Sequence, residues 1–244
     1  SLVCGGNEMQ YYGEIPDAPL LKMYGEVAKE MTPGLPYHVS SPDLSRPGER
    51  PHGPWNFQEH SSYNAHFRQL ASEYGCNAMP VYESLRRFIP EAECQAREGQ
   101  SLQYHLLNPA RLRPRYAFDV QLQKFKVETT EQFCNATLLA QADVALYMTE
   151  HYRRLFPASS GSIFWQYNEP WPTCAWSIVD YYGVPKQALH ALKQASAPVL
   201  LSLKDNSWCI PDGVLQAEWN CTVAPHAASD RTVEARLSLW TAAG

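Results

Sequence analysis

Two glutamates each close a short strand-like run, Glu8 after Val3-Cys4-Gly5-Gly6-Asn7 and Glu73 within Leu70-Ala71-Ser72-Glu73-Tyr74-Gly75. Two carboxylates presented from strand ends by one scaffold can hydrolyse a glycosidic bond, one as proton donor and the other as nucleophile or base. A third run, Gly161-Ser162-Ile163-Phe164-Trp165-Gln166-Tyr167-Asn168-Glu169-Pro170-Trp171-Pro172, supplies the aromatic wall that a sugar site needs. Either glutamate alone reads as solvated surface, because carboxylates are seldom buried without a partner. The order of the three runs gives them their weight.

Strands and helices alternate around these residues. Leu20, Leu21, Tyr24, Val27, Ala28 and Met31 recur at helical spacing and predict an amphipathic helix from Asp17 to Met31, stopped by Pro33-Gly34-Leu35-Pro36. Tyr37 to Ser41 reads as the next strand. The proline- and glycine-rich stretch from Asp43 to Pro54 reads as a loop leading to Trp55-Asn56-Phe57. Tyr63, Phe67, Leu70 and Ala71 fit a helical face running toward Glu73, and Glu91 to Glu131 reads as surface excursions around a site. A long helix is expected from Thr137 to Phe156, a strand over Ser162 to Gln166, and a helix over Lys186 to Ala195. After Pro198 the helical period disappears, and Val199 to Leu203, Gln216 to Val223 and Thr232 to Trp240 read as strands.

This grammar predicts an α/β protein: a (β/α)8 TIM-barrel catalytic domain over residues 1–198, followed over 199–244 by the start of an immunoglobulin-like β-sandwich. A whole barrel takes about 250 residues, and only about five strand-helix units are legible before Pro198. The expectation is therefore the C-terminal portion of a barrel, incomplete at its N-terminus.

The 244 residues carry a net charge of -5, which argues against a nucleic-acid partner. Arg111, Arg113 and Arg115 read as a solvated loop. No apolar run approaches the roughly 20 residues that span a bilayer, so no membrane role is expected, and the compartment stays open between cytoplasm and export. Seven widely spaced cysteines without a Cys-x-x-Cys pair disfavour a disulfide framework or a structural zinc site, and Cys4 and Cys76 read as small buried apolar residues. The eight histidines lack metal-ligand spacing, and Ser40 and Ser41 lack a recognisable His and Asp arrangement for nucleophilic catalysis. Asn135-Ala136-Thr137 and Asn220-Cys221-Thr222 match a glycosylation pattern that arises easily by chance. Asp180 reads as a turn cap.

Gly5-Gly6-Asn7-Glu8, Ser72-Glu73-Tyr74-Gly75, and the Phe164-to-Pro172 run with Trp176-Ser177-Ile178-Val179-Asp180-Tyr181-Tyr182-Gly183 and Lys186 behind it resemble, in that order, glycoside hydrolase family 2, in its β-mannosidase and exo-β-glucosaminidase branch. The match runs from residue 1 to about 203. The resemblance implies Glu8 as acid/base, Glu73 as nucleophile and Asn7 on the sugar 2-substituent. It implies Trp165 stacked on the sugar, Gln166, Asn168 and Glu169 shaping its pocket, and His52 and Trp55 as the His/aromatic pair of the sixth strand. The chain departs from the family pattern at Asn168-Glu169, where Asn-Asp is commoner, at Tyr74 in place of Phe, and in the looser His52-to-Trp55 spacing.

The implied activity is retaining exo-hydrolysis of terminal β-mannosides from an oligosaccharide or glycoconjugate, with no metal or organic cofactor, and with β-glucosaminide or β-galactoside as rival substrates. A noncatalytic fragment, or a piece that assembles with the preceding part of the same enzyme, is the competing class.

Overall fold

In the computed structural model, residues 2–9, 18–43, 52–96, 99–106, 127–205, 217–224 and 234 are described. Strand β1 (Val3–Cys4) lies parallel to β2 (Tyr37–His38), with helix α1 (Pro19–Met31) between them in sequence. The pairing continues past both strands: Glu8 N donates to the Ser41 carbonyl at 2.8 Å and Ser41 N to the Gly6 carbonyl at 2.9 Å. Strand β3 (Ala71–Tyr74) lies parallel to β4 (Ser162–Phe164), and β5 (Val199–Asp205) pairs antiparallel with β6 (Ala217–Val223). Parallel strands joined through helices followed by an antiparallel pair match the expected order of architectures, but the described residues close no barrel.

Helix α1 forms where expected, with Pro19 at its first turn and no side-chain cap. Among the described residues nothing covers most of its apolar stripe: Leu20, Met23, Tyr24 and Val27 stand open and Met31 is 73% exposed, whereas Leu21 and Gly25 face inward. The expected helical face from Tyr63 to Ala71 is corrected. Helix α2 (His60–Asn64) ends after five residues, Phe67 is exposed, and extended chain leads into β3.

The stretch read as surface excursions also turns out differently. Residues 82–106 carry α3 (Tyr82–Leu85), α4 (Glu91–Ala96) and α5 (Gln100–His105), and Cys94, Leu102 and Leu106 join Met79, Leu85, Ile89, Phe133 and Cys174 in a buried cluster. The arginines at 111, 113 and 115 and most of the expected strand 232–240 lie outside the described residues.

The main prop of the fold is α6 (Thr130–Arg154), which starts seven residues before its predicted position. Thr129 Oγ1 accepts from Gln132 N, and the Gln132 side chain accepts from Thr129 N, a reciprocal cap that satisfies two otherwise orphaned donors. One side of α6 buries Ala140, Val144, Tyr147, Met148 and Tyr152 against Phe57, Tyr63, Ala71, Tyr74 and Cys76 beneath β3, and Tyr74 shares a 2.5 Å hydrogen bond with Thr149. The other side packs through Ala145 on α7 (Gln187–Ala195). Gln141, fully buried, donates to the carbonyls of Cys76, Trp176 and Ser177, tying α6 to the chain beyond β3 and β4.

A polar joint fastens β5 to this body. His60 is 5% exposed and sits between Asp143 of α6, 3.1 Å from Nε2, and Asp205 of β5, hydrogen-bonded to Nδ1. The Tyr147 ring stacks on it at 3.7 Å, and Asn64 Nδ2 and the Tyr147 hydroxyl donate to the Asp205 carbonyl.

Four of the described cysteines, Cys76, Cys94, Cys134 and Cys174, are buried thiols; Cys4 is exposed, against the expectation of burial. Thr137 is buried inside α6, so Asn135-Ala136-Thr137 lies on helix. No helix among the described residues is long and apolar enough to cross a membrane, and among them no three His, Cys, Asp or Glu side chains gather as a metal site.

Candidate active site

The ends of four neighbouring segments meet at one point. Asn7 and Glu8 leave β1, Ser41 follows β2, His52 and Trp55 come from the next segment, and Ser72 and Glu73 lie on β3. Tight backbone approach keeps these segments in register. Gly75 N donates to the Pro54 carbonyl at 3.1 Å and Trp165 N to the Tyr74 carbonyl at 2.8 Å. A Cβ at Gly75 would overlap the Trp165 carbonyl, and one at Gly53 would overlap the Glu73 carbonyl, so both positions need glycine for space.

His52, 3% exposed, stands between the two carboxylates: Nε2 is 3.2 Å from Glu8 Oε1 and Nδ1 is 3.2 Å from Glu73 Oε2. Glu8 adopts a positive φ of 55°, the left-handed backbone that an L-residue adopts at a cost. With its amide nitrogen turned to the acceptors, Asn7 donates to Glu73 Oε2 at 3.1 Å and to the Ser41 carbonyl at 3.2 Å. Asn7, Glu8, His52 and Glu73, spread over separate stretches of sequence, are therefore gathered at one point, His52 beside both carboxylates and Asn7 beside Glu73.

The two glutamates sit in unlike surroundings. The Glu8 side chain is 36% exposed and that of Glu73 only 9%. Burial, and after it the charge of Glu8, push the Glu73 carboxyl up to about 7. Burial also lowers His52, against the opposing pull of Glu8, so the imidazole is neutral at neutral pH.

The aromatic residues form a half-open wall beside this cluster. Trp55 meets His52 edge to face at 6.3 Å and Trp176 at 6.0 Å. Trp165, 39% exposed, follows β4 and is joined to Gln166 by a cis peptide bond. The Gln166 backbone pairs with Trp176 and Ile178, and Asn168 is exposed. Glu169 is turned away: its side chain is fully buried, 3.3 Å from Lys186 Nζ and hydrogen-bonded by Ser177. Burial raises its pKa, against the charge of Lys186. The structure thus brings Asn7, Glu8, His52, Trp55 and Glu73 together, puts Trp165 and Gln166 on the adjoining strand end, and assigns Glu169 to an internal ion pair. Trp171 stacks on His105 at 5.0 Å, and Asp180 caps its turn by accepting from Tyr182 N and Val184 N, each at 2.9 Å.

The sequence reading set Ser41 aside as a nucleophile and quoted Ser72 only within the Glu73 motif, giving neither a place beside His52. Ser41 Oγ donates to Ser72 Oγ at 2.7 Å and lies 3.0 Å from His52 Nδ1. The only available signal was position, one serine at a strand end and the other beside Glu73.

No family model matches the chain. Beta-mannosidase B of Aspergillus fumigatus is 24% identical over 235 residues, covering 91% of this chain and 26% of that protein. Beta-mannosidase B of Thermothelomyces thermophilus is 23% identical over 202 residues, covering 75% and 23%. The chain therefore spans about a quarter of the length of the curated relatives it matches. Among solved structures, the beta-D-mannosidase of Dictyoglomus thermophilum superposes with a TM-score of 0.69 at 24% identity, over 83% of this chain and 27% of that one. The exo-chitosanase CsxA of Amycolatopsis orientalis gives a TM-score of 0.63 at 18% identity, over 83% and 27%. In sequence the chain is similar to β-mannosidases, and in fold to a β-mannosidase and an exo-chitosanase, as its three motifs led one to expect of the β-mannosidase and exo-β-glucosaminidase branch of glycoside hydrolase family 2.

Proposed function

We propose that this chain carries the two catalytic carboxylates of a retaining exo-glycosidase that removes terminal β-mannosyl residues from an oligosaccharide or glycoconjugate. The observation that supports it most is one buried imidazole in contact with both Glu8 and Glu73 while Asn7 donates to Glu73. In the first step Glu73 attacks the anomeric carbon and Glu8 protonates the departing oxygen; in the second, Glu8 takes a proton from water, which cleaves the glycosyl ester on Glu73. Asn7 holds the nucleophile and hydrogen-bonds the sugar 2-substituent, a contact that strengthens as the oxocarbenium-like transition state forms. Trp165 stacks on the sugar, and Trp55 with Gln166 and Asn168 borders its pocket. Glu169 acts from inside, bracing the Trp165 segment through Lys186. The reaction needs no cofactor.

A second reading has its own support in the uncovered apolar stripe of α1 and in the quarter-length match to relatives. On that reading residues 1–198 are the later strand-helix units of a (β/α)8 barrel and residues from 199 onward open a β-sandwich, with the site completed by other parts of a longer protein.

One experiment tests both. p-Nitrophenyl β-mannoside, β-glucosaminide and β-galactoside are offered to this chain and to the longest natural chain that contains it, each with Glu8→Ala and Glu73→Ala controls. Mannoside hydrolysis lost in both variants is the expected result. Activity confined to the longer chain selects the second reading, and hydrolysis that survives both substitutions rejects the site.

A further inference from the structure

Resting on the exo-glycosidase reading above, we propose that Tyr104 and Trp171 form an aromatic shelf that binds the sugar rings on the leaving-group side of the cut, so that a manno-oligosaccharide is a better substrate than a mannoside of a small alcohol.

The shelf is built from segments that follow β3 and β4, the strands that carry Glu73 and lead to Trp165. The chain from Gln166 to Trp176 runs out from β4 and returns as a loop closed at its base, where Gln166 N donates to the Trp176 carbonyl at 3.4 Å. At that base Trp176 meets Trp55, the ring neighbour of His52. Trp171 lies midway along the loop, five residues from Gln166 and five from Trp176. Five residues reach at most about 17 Å, which keeps the shelf within a few sugar rings of the two carboxylates.

Helix α5 meets this loop from the β3 side. Leu102 and Leu106 root it in the buried cluster. His105 Nδ1 lies 2.6 Å from the Pro172 carbonyl, and the His105 carbonyl accepts from Cys174 N at 3.2 Å and from Thr173 Oγ1 at 2.6 Å. The His105 ring stacks on Trp171 with centroids 5.0 Å apart, and Tyr104 meets Trp171 edge to face at 5.6 Å. Yet Tyr104 is 75% exposed, so its ring adds little to the core.

An open aromatic face suits a sugar, whose ring C–H groups form an apolar patch while its hydroxyls keep their water. The backbone hydrogen bonds hold the shelf in place beforehand, which lowers the ordering cost of binding. An exo-enzyme takes one ring on the nonreducing side of the cut. A sugar contact further out therefore falls to the rings of the leaving group.

The test is isothermal titration of the Glu73→Gln form of the longest natural chain that contains these residues, with β-1,4-mannotriose and with mannose. Mannotriose should bind at least about tenfold more tightly than mannose. Tyr104→Ala, which removes a side chain standing mostly in water and leaves the fold in place, should remove most of that difference, and Tyr104→Trp should keep it. In the active chain, Tyr104→Ala should also lower the ratio of kcat/KM for mannotriose to that for β-mannosyl fluoride, whose leaving group has no ring, by about five- to tenfold and chiefly through KM. Trp171→Ala is the second variant and should lower the ratio further. Equal affinity for mannotriose and mannose, or a preference that both alanine variants leave unchanged, overturns the shelf and leaves the glycosidase reading intact. Absence of hydrolysis of every glycoside by the unsubstituted chain removes that reading instead, and the titration then reports on the shelf alone.

Discussion

Two buried histidines, His52 and His60, are each held between two carboxylates through both ring nitrogens, and they titrate in opposite directions. At His60, burial opposes the charged ring, but hydrogen bonds and charges from Asp143 and Asp205 together outweigh it and the pKa rises. At His52, burial is the largest effect, Glu8 only partly offsets it, and the pKa falls. The partners of His60 are fixed by α6 and by the Tyr147 and Asn64 contacts on Asp205, which makes the cluster a standing ion triad that holds β5 to the body. The partners of His52 include a half-open Glu8 and a Glu73 whose own pKa has risen to about 7. One arrangement of groups spends its charge on holding strands together, and the other keeps a neutral ring beside a movable proton.

The contrast can be broken at either end. The largest effect is expected from Glu73→Ala, which should lower kcat/KM for a β-mannoside by at least about 1000-fold in the active chain. His60→Ala should leave kcat/KM near the wild-type value and instead cost about 3 kcal/mol of stability in a urea titration, since two largely buried carboxylates lose their cation. Equal damage to activity from both substitutions would abolish the distinction.

The sign of the pH dependence sharpens it. A folded-state pKa above that of the unfolded chain means that His60 contributes fully below about 6.5, the unfolded histidine value, and loses that contribution as pH rises through its folded pKa. The stability gap between wild type and His60→Gln should therefore shrink from pH 6 to pH 9. For His52 the folded pKa is the lower one, so the wild type should lose stability relative to His52→Gln as the pH falls below about 6.5.

The smallest effect is expected from Glu73→Gln. Its raised carboxyl pKa gives the folded state a cost that begins above the unfolded value near 4.5 and is complete above about 7. The substitution should stabilise the protein by about 1–2 kcal/mol at pH 8 and by little at pH 4.5, measured by thermal unfolding at the two pH values.

How much of this was legible in the sequence depends on the distance over which a signal had to travel. Asn7-Glu8, Glu73 and the aromatic run announce themselves because short motifs at strand ends are local, and β5, β6 and α7 fall within two residues of their expected bounds. The start of α6 was hidden because its first turn opens on a polar residue, Thr130, which is buried with its hydroxyl donated to the Cys94 carbonyl, a long-range contact that pattern reading does not see. The α1 stripe was legible as a helix, but the sequence could not say that nothing among the described residues covers it. The His60 triad joins residues 83 and 145 positions apart, and Ser41 meets Ser72 across 31. Common residue types at such separations carry no mark until the chain has folded.

The most direct test of the central claim is to capture the glycosyl-enzyme. The active chain is incubated with 2-deoxy-2-fluoro-β-mannosyl fluoride, in which the fluorine slows breakdown of the ester, and its peptides are mapped by mass spectrometry. A stoichiometric fluoromannosyl label on Glu73, absent in Glu73→Gln, is the expected result. A label on Glu8, or turnover of β-mannoside with inverted stereochemistry and no covalent species, would contradict the assignment of the two carboxylates.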